Sequence, residues 1–242
     1  MSFNAHMKKS LKTRILLFVF VKLPLAFVIL TVSWVFCYKW MPVYVTPLMI
    51  QRSIENRKDS TYTTKKTWKP YAEISPELAK AVIASEDNLF NKHNGFDFKA
   101  IQDARKEFES GKRKYLRGAS TISQQTAKNV FMFPHRSYLR KGLEAYFTVL
   151  IEKIWGKERI MEVYLNVIEM GPGIFGAEAA AQAHFGHEAA KLTNREACLI
   201  AACLPNPIKR NAGHPSSYIS KRAGDIAALE RKLAYPDWVL KK

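Results

Sequence analysis

The sequence predicts a mainly α-helical fold, preceded by one apolar helix long enough to cross a membrane. Apolar residues recur at helical spacing through most of the chain after residue 70. No stretch of six residues or more alternates convincingly between apolar and polar side chains, and there is no internal repeat. Near the N-terminus, Ile15 to Tyr38 is almost entirely apolar, and a transmembrane helix needs about 20 such residues.

The N-terminal apolar segment, residues 15–38, is predicted to be an uncleaved membrane anchor. It is longer than the apolar region of a signal peptide, which is about 7–15 residues, and no small-residue cleavage site follows it. A cleaved signal peptide is the alternative. Residues 1–14 form a basic tail, and basic residues near a span favour the cytoplasmic side. We therefore expect the N-terminus in the cytoplasm and the rest of the chain outside.

The charge of the chain indicates an anionic partner. Lys and Arg total 38 against 21 Asp and Glu, a formal net charge of +17. Nucleic acid, an acidic membrane surface and a phosphate-bearing substrate all fit that charge. Because the predicted anchor puts the remaining chain outside the cytoplasm, no nucleic-acid partner is expected. Only three cysteines are present, and Cys198 and Cys203 are five apart in a predicted helix, which disfavours a disulfide.

Residues 39–69 are predicted as a connector, and residues 70–242 as a single helical domain. The connector lacks strong periodicity. Within the domain, Ser75-Pro76 is typical of a helix start, with Ser75 as the N-cap and Pro76 at the first helical position. Later helices are predicted at Lys157–Glu169, Gly176–Phe185, Thr193–Leu204 and Ser216–Leu233.

Two further helices begin at polar caps, and their apolar stripes predict which faces are buried. Asp97 is predicted to cap a helix that ends at Gly111. Its inward residues would be Phe98, Ile101, Ala104 and Phe108. Ser137 is predicted to cap a longer helix. That helix carries a stripe of Leu139, Leu143, Phe147, Leu150, Ile151 and Ile154.

Two acidic residues at the end of an apolar helix are candidates for acid–base chemistry. Glu86 and Asp87 follow the AVIAS run and precede His93 at close spacing. A carboxylate in a partly dry cleft can act as a general base or acid. The alternative is a solvated surface pair, which is the more frequent fate of an isolated acidic pair.

A basic loop and the helices after it supply candidate anion-binding residues. Residues 111–129, GKRKYLRGASTISQQTAKN, join a Gly- and Lys/Arg-rich loop to a helix that Ser120-Thr121 could cap, and a helix start of this kind suits a phosphate. Arg136, Arg140 and Glu144 are four residues apart and lie on neighbouring helical turns, within reach of Lys128. A mobile loop and a surface ion-pair ladder are the alternatives. Two glutamates beside a basic cradle indicate transfer from an activated sugar.

Five motifs in this order resemble those of the family 51 glycosyltransferases, the peptidoglycan polymerases. They are EDNLFNKHNGFD, GASTISQQTAKN, RKGLE, KERIMEVYLN and GPGIFGAEAAAQAHFG, and the resemblance runs from about residue 70 to 210. The chain is similar to the monofunctional members of that family. The resemblance implies a mainly α, lysozyme-like two-lobed domain that polymerises lipid II into β-1,4-linked glycan and releases undecaprenyl diphosphate.

The resemblance also implies roles for residues at matching positions. Glu86 matches the general base, and Glu144 matches the second functional acid. Lys128 and Arg136 match positions that hold the donor diphosphate, in the strip that includes Arg140. The second motif supplies further residues of the same cleft, namely Ser120, Gln124 and Gln125. A last group is expected to be structural: Asp87, His93, Tyr164, Leu165 and Asn166.

The implied partners are lipid II and the growing glycan strand, anionic membrane lipids and other cell-wall synthesis proteins, at the bacterial inner membrane. No covalent cofactor is expected. A divalent ion, Mg²⁺ or Mn²⁺, bridging the diphosphate and Glu144 is compatible with the sequence, which has no dedicated metal cluster. A lytic glycosidase and a non-enzymatic membrane scaffold are the competing interpretations.

Overall fold

The computed structural model describes residues 11–112, 118–135 and 137–240. This part of the chain divides into two compact units, with the boundary between Met41 and Pro42. The mainly α prediction is confirmed, because helices dominate both units. Arg136 and the 113–117 part of the basic loop lie outside the described residues.

The N-terminal unit contains one long apolar helix. Helices α1 (Leu11–Leu17) and α2 (Leu23–Cys37) are joined by a π-helical turn, Phe18–Lys22. This wider turn directly precedes Pro24, whose ring would clash with a carbonyl in a regular α-helix. Over Lys12–Cys37 the helix is long and apolar enough to cross a membrane. It is therefore compatible with a single-pass membrane protein.

The second unit begins with α3 (Pro47–Glu55), which lies in the segment predicted as connector. Thr46 caps this helix through its Oγ1, which accepts from the Met49 N–H at 3.3 Å. Arg52 of α3 contacts Glu169 at 3.2 Å, a pair 117 residues apart. This helix was not expected, although Thr-Pro is a helix-start signal of the same kind as Ser75-Pro76.

The remaining helices form two groups that pack separately. The first group is α4 (Pro76–Glu86), α10 (Asn194–Cys203) and α11 (Ser217–Glu230). The second group is α6 (Ile122–Phe131), α7 (Tyr138–Ile154) and α8 (Lys157–Val167). The other helices are α5 (Phe98–Glu109), α9 (Ala177–Phe185), α12 (Asp237–Leu240) and the 3₁₀ turns Tyr71–Glu73 and Ala189–Lys191.

Three very short strands form one small sheet in the order β1-β3-β2. They are β1 (Lys65–Lys66), β2 (Glu169–Gly171) and β3 (Ile174–Phe175). Strand β1 runs parallel to β3 with Lys65 opposite Ile174, and β2 runs antiparallel to β3. Strands of two or three residues are too short to show alternation, which is why the sequence did not predict them. Accordingly α8 ends at Val167 rather than at the predicted Glu169.

The predicted burial was wrong for most of the α5 face and for one residue of the α7 stripe. Phe98 is 69% exposed, and Ile101 and Phe108 are also exposed, so only Ala104 of the predicted inward set of α5 is buried. On α7, Leu139 is 76% exposed. Phe147 and Ile151 of the same stripe are buried as predicted, and Glu144 and Thr148 are buried beside them. Both helices are amphipathic, but the other described residues do not bury the whole apolar face of either helix.

A smaller correction concerns the start of α4. Ser75 precedes Pro76 as predicted, but its side chain makes no cap hydrogen bond. Its hydroxyl donates to the Leu192 carbonyl at 2.8 Å, and its N–H donates to the Ala189 carbonyl. The serine therefore ties the start of α4 to the segment that precedes α10.

Candidate active site

Glu86 is the last residue of α4 and stands at the edge of a cleft between the two helical groups. Its carboxylate is half-buried. Oε2 accepts a hydrogen bond from Gln125 Nε2 on α6 at 2.9 Å, and Ser85 Oγ is 3.5 Å from Oε1. The structure therefore brings Glu86 and Gln125, 39 residues apart, into direct contact as the predicted site requires.

Behind Gln125 lies the fully buried Tyr164 of α8. The Tyr164 hydroxyl donates to Gln125 Oε1 at 3.4 Å. Burial raises the pKa of Tyr164 well above its ordinary value, and the nearby Glu86 and Asp87 carboxylates raise it further. The phenol is therefore protonated at any physiological pH. The sequence predicted Tyr164 as a structural residue and not as part of the cleft.

Asp87 links the end of α4 to the start of α6. Its Oδ2 accepts from the Ile122 N–H at 3.0 Å, and the His93 ring nitrogen Nε2 lies 2.9 Å from Oδ1. The Gly95 N–H donates to His93 Nδ1 at 3.2 Å, so the hydrogen-bond network assigns the proton of the ring to Nε2. These contacts fix the loop that follows Glu86.

Gly95 and Thr121 close this loop against α6. Thr121 Oγ1 donates to the Gly95 carbonyl at 2.6 Å. Gly95 has φ of +89°, and an added Cβ would lie 2.7 Å from Thr148 Cγ2. Glycine is therefore required at this position both for backbone conformation and for space.

The start of α6 is a complete capping box rather than a free anion site. Thr121 Oγ1 accepts from the Gln124 N–H at 3.2 Å, and Gln124 Oε1 accepts from the Thr121 N–H at 3.0 Å. Since Asp87 already takes the Ile122 N–H, little of this helix terminus is available to a phosphate. Gln124, predicted to bind substrate, is buried and turned toward its own helix start.

The cleft beside Glu86 has a volume of about 610 Å³. Ser120 lines it and is exposed, in agreement with its predicted position. Asp97, the last residue of the motif that begins at Glu86, also lines the cleft. Pro205 after α10 and Arg222 on α11 line it as well and were not predicted, because they come from distant parts of the sequence and from no acid–base motif.

A second cavity of about 280 Å³ lies at the other end of α6. Lys128 and Arg140, both predicted, line it together with uncharged neighbours. These are Leu48, Asn129, Met132, Pro134 and His135. The structure therefore separates the predicted residues into two neighbouring cavities, with Glu86 and Gln125 in one and the two cations in the other.

Charges of both signs surround Lys128. Burial is the largest influence and lowers the pKa of the Lys128 ammonium group below its ordinary value. The carboxylates of Glu144 and Glu86 oppose this shift, and the cations of Arg140 and Lys141 reinforce it. Lys128 is therefore close enough to both predicted acids to interact with each, which connects the two cavities electrostatically.

Glu144 is 3% exposed and is held by cations on its own helix. One carboxylate oxygen pairs with Lys141, and the other lies 3.8 Å from Arg140 Nη1. Asn166, predicted to be structural, lies elsewhere and binds the chain before α4. It accepts from the Lys69 N–H and donates to the Lys69 carbonyl, each at 2.8 Å.

Comparisons with known proteins identify the family. A model of the family described as Transglycosylase matches residues 52–229. The chain is 58% identical over 200 residues to the biosynthetic peptidoglycan transglycosylase of Bacteroides thetaiotaomicron, covering 82% of this chain and 80% of the relative. The protein of the same description from Caulobacter vibrioides is 54% identical over 192 residues, covering 79% and 81%. That from Pseudomonas entomophila is 46% identical over 211 residues, covering 87% and 89%.

The matched region contains both helical groups up to the last turn of α11, the cleft with Glu86 and, apart from Leu48, the lining of the cavity with Lys128. The resemblance carried by the five sequence motifs is thereby confirmed. The chain belongs to the transglycosylase family and is a glycosyltransferase.

Proposed function

We propose that this glycosyltransferase polymerises lipid II into β-1,4-linked peptidoglycan strands with release of undecaprenyl diphosphate. The observation that carries the proposal is the adjacency of a carboxylate cleft and a cationic cavity on one helix. Glu86 faces α6 through Gln125, and Lys128 follows Gln125 by one turn. A sugar transfer needs a base for the acceptor on one side of the reacting carbon and positive charge for the leaving group on the other.

Glu86 acts as the general base in this proposal. The acceptor, a lipid II molecule, binds in the larger cleft with its 4-hydroxyl near the Glu86 carboxylate. The carboxylate takes the hydroxyl proton as the oxygen forms a bond to the anomeric carbon of the donor. The bond from that carbon to the α-linked diphosphate breaks in the same step, so the product linkage is inverted to β. The departing diphosphate keeps the electron pair.

Lys128 and Arg140 neutralise the charge that develops on the diphosphate. Arg136 is included with them because it matches a diphosphate-binding position of the family. A buried lysine beside other cations is suited to this, because an incoming anion restores the full charge that burial opposes. Preorganised donors of this kind lower the activation barrier by roughly 3 kcal/mol each. Their cavity adjoins α7, where Glu144 holds Arg140 and the neighbouring Lys141 in place.

The donor set around Glu144 does not fit the suggested divalent ion. Its oxygens already face Lys141 and Arg140. No group of three potential ligands among His, Cys, Asp and Glu occurs in residues 11–112, 118–135 and 137–240. Mg²⁺ prefers a site of several oxygen ligands rather than a single carboxylate paired to cations. We therefore assign Glu144 to the positioning of cations and derive no step through a metal.

The surface beside the cationic cavity supports contact with anionic membrane lipids. Phe133, Tyr138 and Leu139 are exposed, Tyr138 to 99%, and Lys141 lies next to them. Aromatic and aliphatic side chains beside cations are typical of a membrane interface. Such a surface would let polyprenyl tails remain in the bilayer while their headgroups enter the cleft.

We extend this to location and domain organisation. Residues 15–38 anchor the protein in the bacterial inner membrane, with the 1–14 tail in the cytoplasm and the catalytic domain on the outer side. The family match begins at residue 52, so part of the 39–69 connector belongs to the matched region. Other cell-wall synthesis proteins remain predicted partners.

A lytic glycosidase is the nearest alternative, because it would share a glutamate in a helical cleft. It would not need the cationic cavity around Lys128. Incubating the purified full-length protein separately with lipid II and with isolated sacculi distinguishes the two. We expect long glycan strands on a gel from lipid II and no soluble muropeptides from sacculi. The opposite pattern would show a lytic enzyme, and activity on neither would support a scaffold.

A further inference from the structure

We infer that Tyr164 is a positioning residue for Glu86: its buried hydroxyl fixes the amide of Gln125 so that the amide NH₂ group faces the carboxylate. The inference rests on the proposed role of Glu86 as base. It concerns three side chains from three helices, α4, α6 and α8. Nothing in the local sequence connects them, since Tyr164 is 39 residues from Gln125 and Gln125 is 39 residues from Glu86.

The hydrogen-bonding capacities of the three groups determine the orientation of the amide. An ionised carboxylate only accepts, so the side of Gln125 that contacts Glu86 must be Nε2. The carbonyl oxygen then points the other way and needs a donor. The Tyr164 hydroxyl is that donor at 3.4 Å, and this is its only hydrogen bond to any described residue.

The surroundings keep Tyr164 in the donating form. The side chain is completely buried in the core between α6 and α8. Burial and the two nearby carboxylates, Glu86 and Asp87, raise the pKa of the phenol well above its ordinary value. The hydroxyl therefore keeps its proton while Glu86 cycles between its charged and neutral forms.

Loss of this hydroxyl would free the Gln125 amide. With no donor behind it, the amide can rotate and present its oxygen to Glu86, where two acceptors would meet. The shorter of the two hydrogen bonds to Glu86 would then be lost, leaving Ser85 Oγ at 3.5 Å. Other charged or titratable groups around Glu86 in the described residues are Asp87, Lys128 and, in the cleft lining, Asp97 and Arg222.

The direct test is the titration of Glu86 by carboxyl ¹³C NMR in the full-length protein in detergent micelles, assigned by comparison with Glu86→Gln. Removing a donor disfavours the carboxylate, so in Tyr164→Phe the Glu86 signal should titrate about one pH unit higher than in the wild type. Tyr71→Phe is the matched control, because the Tyr71 hydroxyl is also buried and makes no hydrogen bond to a residue that the structure describes. Equal titration in all three proteins overturns the inference.

Kinetics with lipid II provide a second readout. Tyr164→Phe should lower kcat/KM roughly tenfold at neutral pH and move the acid limb of the pH–rate profile to higher pH, whereas Tyr71→Phe should do neither. In a Gln125→Ala background, Tyr164→Phe should have no further effect on either readout. Additive losses in the double variant would show that Tyr164 acts only through the fold. If the wild type does not polymerise lipid II, the proposed function fails, and the NMR titration still decides the role of Tyr164.

Discussion

The two ends of α6 handle charge in opposite ways. At its start, backbone N–H groups are satisfied within the protein, by Thr121, Gln124 and the carboxylate of Asp87. Toward its end, Lys128 is half-buried beside two cations, and Glu144 is the negative charge that most strongly opposes the lowering of its pKa. At the start of the helix the donors are used in hydrogen bonds within the protein. Near its end, the cations leave positive charge that a bound anion would balance. A helix N-terminus is not an anion site when its donors are already used.

The comparison predicts the largest effect near the end of α6. Replacing Lys128 with Met keeps the length of the side chain but removes the charge from the leaving-group cavity. Polymerisation of lipid II should fall roughly 10²- to 10³-fold. Lys191→Met, at an exposed position on the far 3₁₀ turn, is the matched control and should retain activity. A fully active Lys128→Met protein would remove the proposed role of this cavity.

The same variant should be more stable than the wild type when no substrate is bound. Because the pKa of Lys128 is lowered in the folded state, the unfolded chain binds more protons between that pKa and the ordinary lysine value. Wild-type stability therefore rises with pH through this window, and the rise attributable to Lys128 should vanish in Lys128→Met. Thermal unfolding at several alkaline pH values checks this, and an unchanged pH dependence would contradict it.

Glu144→Gln tests the same cationic cavity by removing the carboxylate that faces its cations. Removing the carboxylate leaves Arg140 and Lys141 without their partner and lowers the pKa of Lys128 further. Activity should drop roughly tenfold to a hundredfold, and the alkaline limb of the pH–rate profile should move to lower pH. Added Mg²⁺ should not restore the rate in the variant. A loss of activity with an unshifted profile would indicate that Glu144 acts in another way.

At the start of α6, Asp87→Asn should act mainly through stability. It weakens the charge-assisted hydrogen bonds to the Ile122 N–H and to His93. We expect a loss of about 2 kcal/mol in the free energy of unfolding, measured by denaturant titration. Asp103→Asn, at an exposed position on α5, serves as the control for charge removal. Equal stability of the two variants would show that Asp87 does not have this structural role.

The smallest effect is expected for Gln124→Ala. This change removes half of the capping box at the start of α6, which should cost about 1 kcal/mol of stability. Activity at a temperature well below unfolding should stay within about twofold of the wild type, because the side chain does not face the cleft. A large loss of activity with normal stability would restore Gln124 to the substrate-binding set.

The motifs singled out Glu86, Lys128 and Arg140, because each lies in a short segment with a distinctive order of residue types. The structure places them at two neighbouring cavities, and their roles stay predictions. The helix N-caps Asp97, Thr121 and Ser137 were also predicted correctly, since capping depends on local sequence. Arg222 was not predicted, and Tyr164 was predicted only as a structural residue, for the opposite reason. Their relation to the site depends on how α11 and α8 pack, and no local pattern carries that information.

The helix faces were predicted less well. The stripe on α5 predicted burial of Phe98 and Phe108, yet both are exposed. Periodicity shows that a helix has an apolar face, but it does not show what covers that face. We propose that lipid covers Leu139 on α7, and a sequence pattern cannot distinguish a lipid-facing side chain from one in a protein core.

The most direct measurement of the central claim is polymerisation of purified lipid II by Glu86→Gln. The variant keeps the shape of the side chain and can still accept a hydrogen bond from Gln125, so circular dichroism and thermal unfolding should match the wild type. If Glu86 is the base, strand formation should fall by about 10³-fold or more while Glu188→Gln, at an exposed position, remains active. Glycan strands made by a folded Glu86→Gln protein at near wild-type rate would contradict the account.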